Sequence, residues 1–239
     1  IYKVIEALEN IAKKHGVKIH TNSPVSEMLV EDKTAIGIKL SNGEVIKADH
    51  VVSNADMNFT EMSLIKEDSL RTYNKKYWDK AIMGPSAFIL FLGLSRKIET
   101  LTHHNLRFSK DWKKNFQEVF DNPKFPDDPS YYVSCPSKSD TSVAPAGKET
   151  LFVLVPVASH LSFTDSQKKE YRDKVINMMK KDLDIPDLEE IIEYESMYTH
   201  EEFKTDYNAF GGTALGLAHT LKQTLMRPNN KSKKIKNLL

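Results

Sequence analysis

The sequence contains little of what usually identifies a function at first sight. It has a single cysteine, Cys135, in 239 residues, which excludes an internal disulfide and a cysteine-rich metal site. Neither sign of charge dominates, because 34 basic and 33 acidic side chains leave a formal net charge of +1. Such a balance gives no overall field that would attract a polyanion. We therefore expect no nucleic-acid partner.

Long hydrophobic runs are also missing. The two longest apolar runs, at residues 87–94 and 151–158, are far shorter than the roughly 18 to 20 residues that span a bilayer. We therefore predict no membrane-spanning segment. A lone cysteine suits a reducing compartment, so we expect a cytoplasmic location.

Motifs for nucleophilic or metal chemistry are absent as well. There is no Gly-x-Ser-x-Gly elbow of the kind that hydrolases use. His103 and His104 have no acidic or cysteine neighbour at a metal-ligand spacing, and adjacent residues of an extended chain point to opposite sides. The pair Asp127 and Asp128 precedes Pro129 and is typical of a turn. We predict no metal site and assign no catalytic residue.

Hydrophobic periodicity predicts a chain in which strands return after every helix. The predicted elements are a helix at 2–15, strands at 17–20, 25–32, 34–40 and 44–53, helical structure at 56–80, a strand at 84–95, a helix at 111–120, a strand at 130–136 within a proline-rich loop, a strand at 150–158, a helix at 165–182 and a strand at 189–198. This pattern indicates an α/β protein with a small first lobe containing a β-meander, and a larger α+β lobe of mixed sheet and helices. The chain begins at Ile1 inside a helical pattern, and we interpret it as an internal piece of a longer protein.

Two segments are candidates for ligand contact. The stretch "DHVVSNADMNFT", residues 49–60, predicts a strand that ends in small polar residues and gives way to a helix, which is where α/β proteins place ligands. The stretch "AFGGTALGLAHT", residues 209–220, has glycines that let the backbone approach a bulky group. Two interpretations of the second segment stay open: a close-packed turn, or the wall of a cofactor or substrate site.

Several segments in order, among them "GPSAFILFLGL", "HHNLRFSKDWKKNFQEVF" and "EEFKTDYNAFGGTALGLAHTLKQTLMRPNN", resemble the phytoene and dehydrosqualene desaturase family. The resemblance runs through nearly the whole chain. It implies an FAD-dependent oxidoreductase of carotenoid biosynthesis with an amine-oxidase-like architecture. Residues 1–55 would be part of the FAD-binding domain, residues 56–226 the substrate-binding domain, and residues 227–239 a return segment toward the FAD-binding domain.

The resemblance also implies cofactor contacts. Val25 would lie near the adenine side of FAD, and Ser53, Asn54 and Ala55 would end a strand that approaches the cofactor. The alternative for each is a sheet residue packed near the flavin but not on it. The family's Gly-x-Gly-x-x-Gly segment and its second glycine-rich FAD segment are absent from the sequence, so we expect this chain alone to bind little or no FAD.

The chemistry that the resemblance implies is desaturation of a long isoprenoid hydrocarbon, with hydride passing to the flavin. Such a substrate needs an apolar tunnel. The plausible lining residues are Phe88, Phe91, Phe108, Phe152 and Tyr207, and core packing is the alternative role for each. Two further interpretations stay open: oxidation of another apolar or amine substrate, and a hydrophobic-ligand or membrane-docking module without catalysis.

A short basic run, Lys231 to Lys236, lies near the end of the sequence. Together with apolar stretches it suggests peripheral attachment to a membrane, the source of an isoprenoid substrate. The alternative is an ordinary solvated loop.

Overall fold

The computed structural model describes residues 2–239, which form two compact units. The first unit comprises residues 2–53, 60–74 and 229–239, and the second comprises residues 54–59 and 75–228. Residues 60–74 thus pack in the first unit, whereas the sequence placed the boundary near residue 55. The mixed α/β fold that the sequence predicts is confirmed.

The first unit contains helix α1 (Tyr2–Lys14) and a three-stranded antiparallel sheet. The strands are β1 (Val25–Glu31), β2 (Thr34–Leu40) and β3 (Val45–Lys47), in that order across the sheet. Asp32 and Lys33 both have positive φ, as a tight two-residue hairpin turn requires. The predicted three-stranded meander is therefore confirmed, but its third strand, predicted at residues 44–53, is limited to Val45–Lys47, and Val51 forms only an isolated bridge with Leu238.

The strand predicted at residues 17–20 is wrong. Gly16, at φ +77°, ends the preceding helix, and residues 17–20 form no ladder with any strand of the described chain. β-propensity alone does not make a strand, because a strand needs a hydrogen-bonded neighbour.

The second unit is built on a five-stranded antiparallel sheet. Its strands are β4 (Ser86–Leu94), β5 (His104–Arg107), β6 (Tyr131–Ser134), β7 (Glu149–Val157) and β8 (Ile192–Tyr198), arranged in the order β5-β6-β7-β4-β8. Central strand β4 therefore pairs with two strands that follow it much later in the chain.

The helices of the second unit are mostly short. They are α2 (Met57–Phe59), α3 (Lys75–Trp78), α4 (Trp112–Phe120), α5 (Asp165–Asp182), α6 (His200–Tyr207) and α7 (Leu221–Leu225). The predicted helical region 56–80 is thus broken, because a π-helical turn (Thr60–Leu64) and a 3₁₀ turn (Asp68–Leu70) of the first unit interrupt it. No helix within residues 2–239 is both long and apolar enough to cross a membrane.

The hydrophobic core of the second unit lies between the sheet and α5. Thr164 and Gln167 form a capping box at the start of this helix, which satisfies free backbone N–H groups there. Tyr171, Val175 and Met179 are buried against the sheet, at the helical spacing that the sequence predicts. This arrangement leaves the opposite face of the sheet free of α5.

Candidate substrate-binding site

The face of the five-stranded sheet opposite α5, here called the open face, is largely apolar. The strand registers place its side chains in cross-strand rows, because residues of a strand alternate between faces. One row runs through Phe91 and Phe152, and the next runs through Ile89, Leu154 and Tyr132. Leu106 extends the second row at the edge of the sheet. The second row crosses four strands, whereas the Phe91–Phe152 pair is flanked in its own row by Ser134 and Ser196. Together the two rows form an apolar track on the open face.

Phe91 and Phe152 are the aromatic pair of the open face. Their ring centroids lie 5.5 Å apart with an edge-on geometry, within the range of favourable aromatic pairs. Phe91 is 39% exposed although it lies on a central strand. An exposed aromatic ring on a central strand marks a surface where an apolar ligand or partner can pack.

A cavity of about 510 Å³ adjoins one end of the sheet. Its volume lies in the range of pockets that bind small ligands. Its wall carries no charged side chain and consists of Pro85, Phe108, Trp112, Asn115, Phe116, Val119, Phe120, Ser130 and Pro156. Pro156 pairs with Ala87 in the sheet, which places this residue on the open face. The apolar track thus leads toward an aromatic cavity.

Helix α4 supplies most of the cavity wall. Asp111 caps it by accepting a hydrogen bond from the backbone N–H of Lys114, as N-cap residues do. Trp112, Phe116 and Phe120 recur at a spacing of four, and all three are exposed. The sequence predicts this helix but did not identify its aromatic stripe as part of the site. The spacing of the three rings was the signal for it.

The five residues predicted to line a tunnel are distributed over four places. Phe91 and Phe152 lie on the open face, and Phe108 lies in the cavity wall. Tyr207 is exposed on α6, with its ring 6.5 Å from that of Tyr198, an open-face residue paired with Ile89. Phe88 requires a correction.

Phe88 does not face the open side of the sheet. Its ring is fully buried on the α5 side, edge-on to Tyr171 at 5.2 Å and to Phe125 at 5.9 Å. The reason is parity, since Phe88 and Phe91 are separated by three positions and therefore point to opposite faces.

The predicted cofactor contacts fall in both units. Val25 begins β1 and is half-buried in the first unit. Ser53 belongs to the same unit, where its hydroxyl forms a 2.7 Å hydrogen bond with that of Thr60. Asn54 and Ala55 belong to the second unit and are exposed. These four contacts stay predictions.

Asp56, in the polar part of the segment at residues 49–60, accepts two hydrogen bonds from backbone N–H groups. One carboxylate oxygen accepts a 3.0 Å hydrogen bond from the backbone N–H of Phe59, and the other accepts one at 3.3 Å from Phe210. The first bond caps the short helix α2. The second ties the segment to the glycine-rich stretch of the same unit.

The glycine-rich stretch at residues 209–220 is closely packed. A Cβ at Gly211 would lie 2.4 Å from the ring of His160, and a Cβ at Gly212 would lie 2.2 Å from the carbonyl oxygen of His200. Both glycines also have φ near +65°, which L residues adopt at a cost. Of the two open interpretations, the close-packed turn accounts for Gly211 and Gly212.

The neighbouring histidines are not directed to opposite sides as expected. Their ring centroids lie 4.3 Å apart, because His103 precedes strand β5 in a bend and only His104 belongs to the strand. The Nδ1 of His104 lies 2.6 Å from the hydroxyl of Tyr132, and that of His103 is hydrogen-bonded to Ser139. Both rings thus have protein partners.

Asp127 and Asp128 form ion pairs rather than a reacting pair of acids. Asp128 pairs with Arg107 and accepts a hydrogen bond from the backbone N–H of Lys110. The hydrogen bond from Lys124 lowers the pKa of Asp127 to about 2, so its carboxylate is ionised at neutral pH. Within residues 2–239, no cluster of three or more His, Cys, Asp or Glu side chains is arranged to bind a metal.

Comparison with known proteins places the chain in a family. A family model described as "Flavin containing amine oxidoreductase" matches residues 3–239. This chain belongs to the flavin-containing amine oxidoreductases. Among the family's carotenoid enzymes, the carotenoid 3,4-desaturase of Haloarcula japonica is 41% identical over 98% of this chain and 47% of its own length.

Two further relatives have related names. The 4,4'-diapophytoene desaturase (4,4'-diapolycopene-forming) of Methylomonas sp is 34% identical over 98% of this chain and 46% of its own length. The zeta-carotene-forming phytoene desaturase of Myxococcus xanthus is 34% identical over all of this chain and 46% of its own length. The resemblance to carotenoid desaturases is confirmed. The chain spans about half the length of the relatives it matches.

That this chain alone binds little or no FAD stays a prediction. The hydroxyl of Ser53, one of the predicted contacts, shares a hydrogen bond with that of Thr60.

Proposed function

We propose that this chain provides the substrate-binding part of an FAD-dependent oxidoreductase that desaturates a long isoprenoid hydrocarbon, such as phytoene or dehydrosqualene. The apolar track from Phe91 and Phe152 toward the aromatic cavity is the observation that carries the proposal. The names of the relatives give it independent support.

The physical requirement is alignment of a substrate without polar handles. Burial of hydrocarbon surface contributes about 25 cal/mol for each Å² removed from water, so an extended apolar surface can hold a polyene without hydrogen bonds. Aromatic faces also stabilise positive charge that develops on a substrate. When bound, the flavin would accept the hydride.

The test is pigment formation by the complete reading frame that contains this chain. We would express it in bacterial cells that accumulate phytoene, and in cells that accumulate dehydrosqualene. We expect extracted products with longer conjugated systems, detected by their absorbance after chromatography. A Phe91→Ala, Phe152→Ala double variant is expected to lower the yield. Unchanged substrate in both strains would contradict the proposal.

An amine substrate is the second candidate, because the cavity has an aromatic wall and such walls also bind ammonium groups. The protein encoded by the complete reading frame would be purified and incubated with long-chain alkylamines. Flavin reduction by an amine, without desaturation of either hydrocarbon, would favour this candidate.

We also propose that the protein is cytoplasmic and attaches to the membrane surface through α4. Its exposed stripe of Trp112, Phe116 and Phe120 suits the lipid interface. Lys110 and Lys113 are exposed beside the stripe and can attract anionic headgroups. We expect the protein to sediment with anionic liposomes at low salt and a Trp112→Ala, Phe116→Ala variant to remain in solution. Equal sedimentation of both would contradict this attachment.

A further inference from the structure

Tyr132 and His104 form a hydrogen-bonded pair at one edge of the open face. His104 pairs with Ser134, which pairs with Phe152, so His104 lies in the row of Phe91 and Phe152. Tyr132 lies in the next row, with its ring centroid 6.4 Å from that of Phe152. The Nδ1 of His104 is 2.6 Å from the hydroxyl oxygen of Tyr132, and the two rings are stacked. The pair therefore borders the apolar track.

The proposed desaturation releases a proton onto this face. Each new double bond removes two hydrogens from neighbouring carbons, one as a hydride and the other as a proton, and the proton needs an acceptor. Among the strand side chains that the registers place on the open face, none is an aspartate, glutamate, lysine or arginine, and His104 is the one histidine. Histidine is the side chain that ordinarily exchanges a proton near neutral pH. His104 is therefore the strand residue best suited to take up this proton.

A second tyrosine of the open face, Tyr198, is also hydrogen-bonded to a base. Its hydroxyl donates to Oδ2 of Asp206 at 2.8 Å and to the carbonyl oxygen of Glu202 at 3.2 Å. Burial and the Asp206 carboxylate raise the pKa of Tyr198, so this hydroxyl keeps its proton. A carboxylate, with an ordinary pKa of about 3.9, is also a weaker base than an imidazole, at about 6.5. Tyr132 is thus the tyrosine that can pass on a proton.

We propose that the His104–Tyr132 pair accepts the proton that the hydrocarbon loses. The oxygen of Tyr132 takes the proton from the carbon next to the one that gives up the hydride, and the hydroxyl proton of Tyr132 moves to Nδ1 of His104. The electrons of the broken C–H bond form the new double bond, with the hydride passing to the flavin of the proposed function, on which this inference rests. His104 is exposed, so its Nε2–H can release a proton to water.

The relay requires one tautomer of His104, with the proton on Nε2 and a free lone pair on Nδ1. The ¹⁵N chemical shifts of the imidazole ring, measured in the labelled 239-residue chain at mildly alkaline pH, report this tautomer and need no cofactor. We expect Nδ1 to lack a proton, and Tyr132→Phe to change the Nδ1 shift because it removes the donor. His104→Gln identifies the signals by their loss. A His104 ring that carries its proton on Nδ1 would overturn the inference.

Turnover is then compared in the protein encoded by the complete reading frame. With saturating phytoene or dehydrosqualene in liposomes, His104→Gln and Tyr132→Phe are expected to lower kcat about 10²- to 10⁴-fold, the usual contribution of general acid–base catalysis. Flavin absorbance and the KM for the hydrocarbon should stay near the parent values. His103→Gln and Asp206→Asn, the matched controls, are expected to keep most of the parent kcat. Circular dichroism melting checks that each variant folds.

Rescue by an external base distinguishes proton transfer from a structural role. His104→Ala leaves space at an exposed position, and added imidazole is expected to raise the kcat of this variant severalfold while leaving that of the parent protein unchanged. Pyrazole, a ring of the same size but a much weaker base, should have no such effect. Equal rescue by the two compounds would show that the ring of His104 only fills space.

Two further results would overturn the inference. One is a parent-like kcat in His104→Gln or Tyr132→Phe. The other is a variant that raises KM and keeps kcat, which would mean that the pair holds an oxygen-bearing group of the substrate instead. Loss of turnover in Asp206→Asn alone would assign the proton to the other tyrosine pair. If one of the two variants fails to fold, the other variant and the tautomer of His104 still decide.

The proposed function is scored separately by the parent protein. Absence of desaturation by the parent protein would reject the proposed function and this inference with it. Desaturation that survives both His104→Gln and Tyr132→Phe would reject this inference alone.

Discussion

Phe88 and Phe91 belong to the same strand and the same apolar run, yet they lie in opposite environments. Phe88 is fully buried between the sheet and α5, whereas Phe91 is 39% exposed on the open face beside Phe152. The difference shows that one strand can supply the core with one set of side chains and a binding surface with the other. Apolar character alone therefore does not separate stability from function in this sheet.

Phe88→Ala is expected to have the largest effect on stability. Loss of a fully buried phenylalanine typically destabilises a protein by about 3–5 kcal/mol, through lost transfer energy and a residual cavity. Denaturant unfolding, followed by circular dichroism, should show a much lower midpoint than that of the parent chain. A change below about 1 kcal/mol would mean that this ring is not part of the core.

Phe91→Ala is expected to cost clearly less stability than Phe88→Ala and to weaken ligand binding. The ring is 39% exposed, and loss of its pair with Phe152 removes about 0.5–1.5 kcal/mol beyond the lost burial. Binding of a C20 isoprenoid hydrocarbon should weaken severalfold, as judged by the tryptophan fluorescence of the chain, in which Trp112 lines the cavity. If the variant unfolded as readily as Phe88→Ala, the two faces would not differ as described.

Tyr171→Phe tests the covered face with a smaller change. The hydroxyl of Tyr171 is buried without a hydrogen-bond partner within residues 2–239, and burial raises its pKa well above the ordinary value. Removing an unsatisfied buried hydroxyl avoids its desolvation penalty, which is about 1–3 kcal/mol. We expect the variant to be as stable as the parent chain or more stable. A clear loss of stability would show that the hydroxyl has a partner.

His200 should make the second unit sensitive to acid. Its side chain is fully buried and neither ring nitrogen has a hydrogen-bond partner within residues 2–239; burial, aided by Lys204, lowers its pKa. The unfolded chain then binds more protons than the folded one below the ordinary pKa of about 6.5. Stability is therefore complete above that pH and falls as the pH drops through 6.5 toward the lowered pKa.

His200→Gln should remove part of this dependence. We expect the melting temperature to change less between pH 7.5 and 5.5 than it does in the parent chain, as measured by differential scanning fluorimetry. His15→Gln, an exposed position at the end of α1, is the control and should keep the original slope. If the melting temperatures of the parent chain and of both variants changed equally with pH, His200 would not be the source of the acid sensitivity.

Periodicity and turn residues predicted most of the fold. The helix at residues 165–182 has the predicted bounds, and the hairpins of the first unit follow from their turn residues. The strand β5 and the helix α6 were missed. Strand β5 has only four residues, too few for a clear alternation. Helix α6 begins at a Thr199–Glu202 capping box, a local signal that could have been recognised.

The candidate site was predictable only in part. The sequence singles out aromatic residues as candidates, but which face each one occupies depends on the register of β4 with β7. The unpaired Nδ2 of Asn115 could not be anticipated, because a missing partner is defined by neighbours that are distant in the sequence. Glu149 likewise depends on contacts that the sequence does not reveal. It is buried, accepts hydrogen bonds from Cys135 and Ser137, and forms an ion pair with Lys138.

The strand order of the five-stranded sheet has a consequence for synthesis of the chain. Strand β8 pairs with β4 although β8 follows β4 by about a hundred residues. During synthesis, one edge of β4 therefore stays unpaired until β8 has been translated. Contacts of this sequence separation slow folding, and an unpaired apolar strand is prone to aggregate. A nascent chain arrested before residue 190 should therefore depend on chaperones more than a chain released after residue 207.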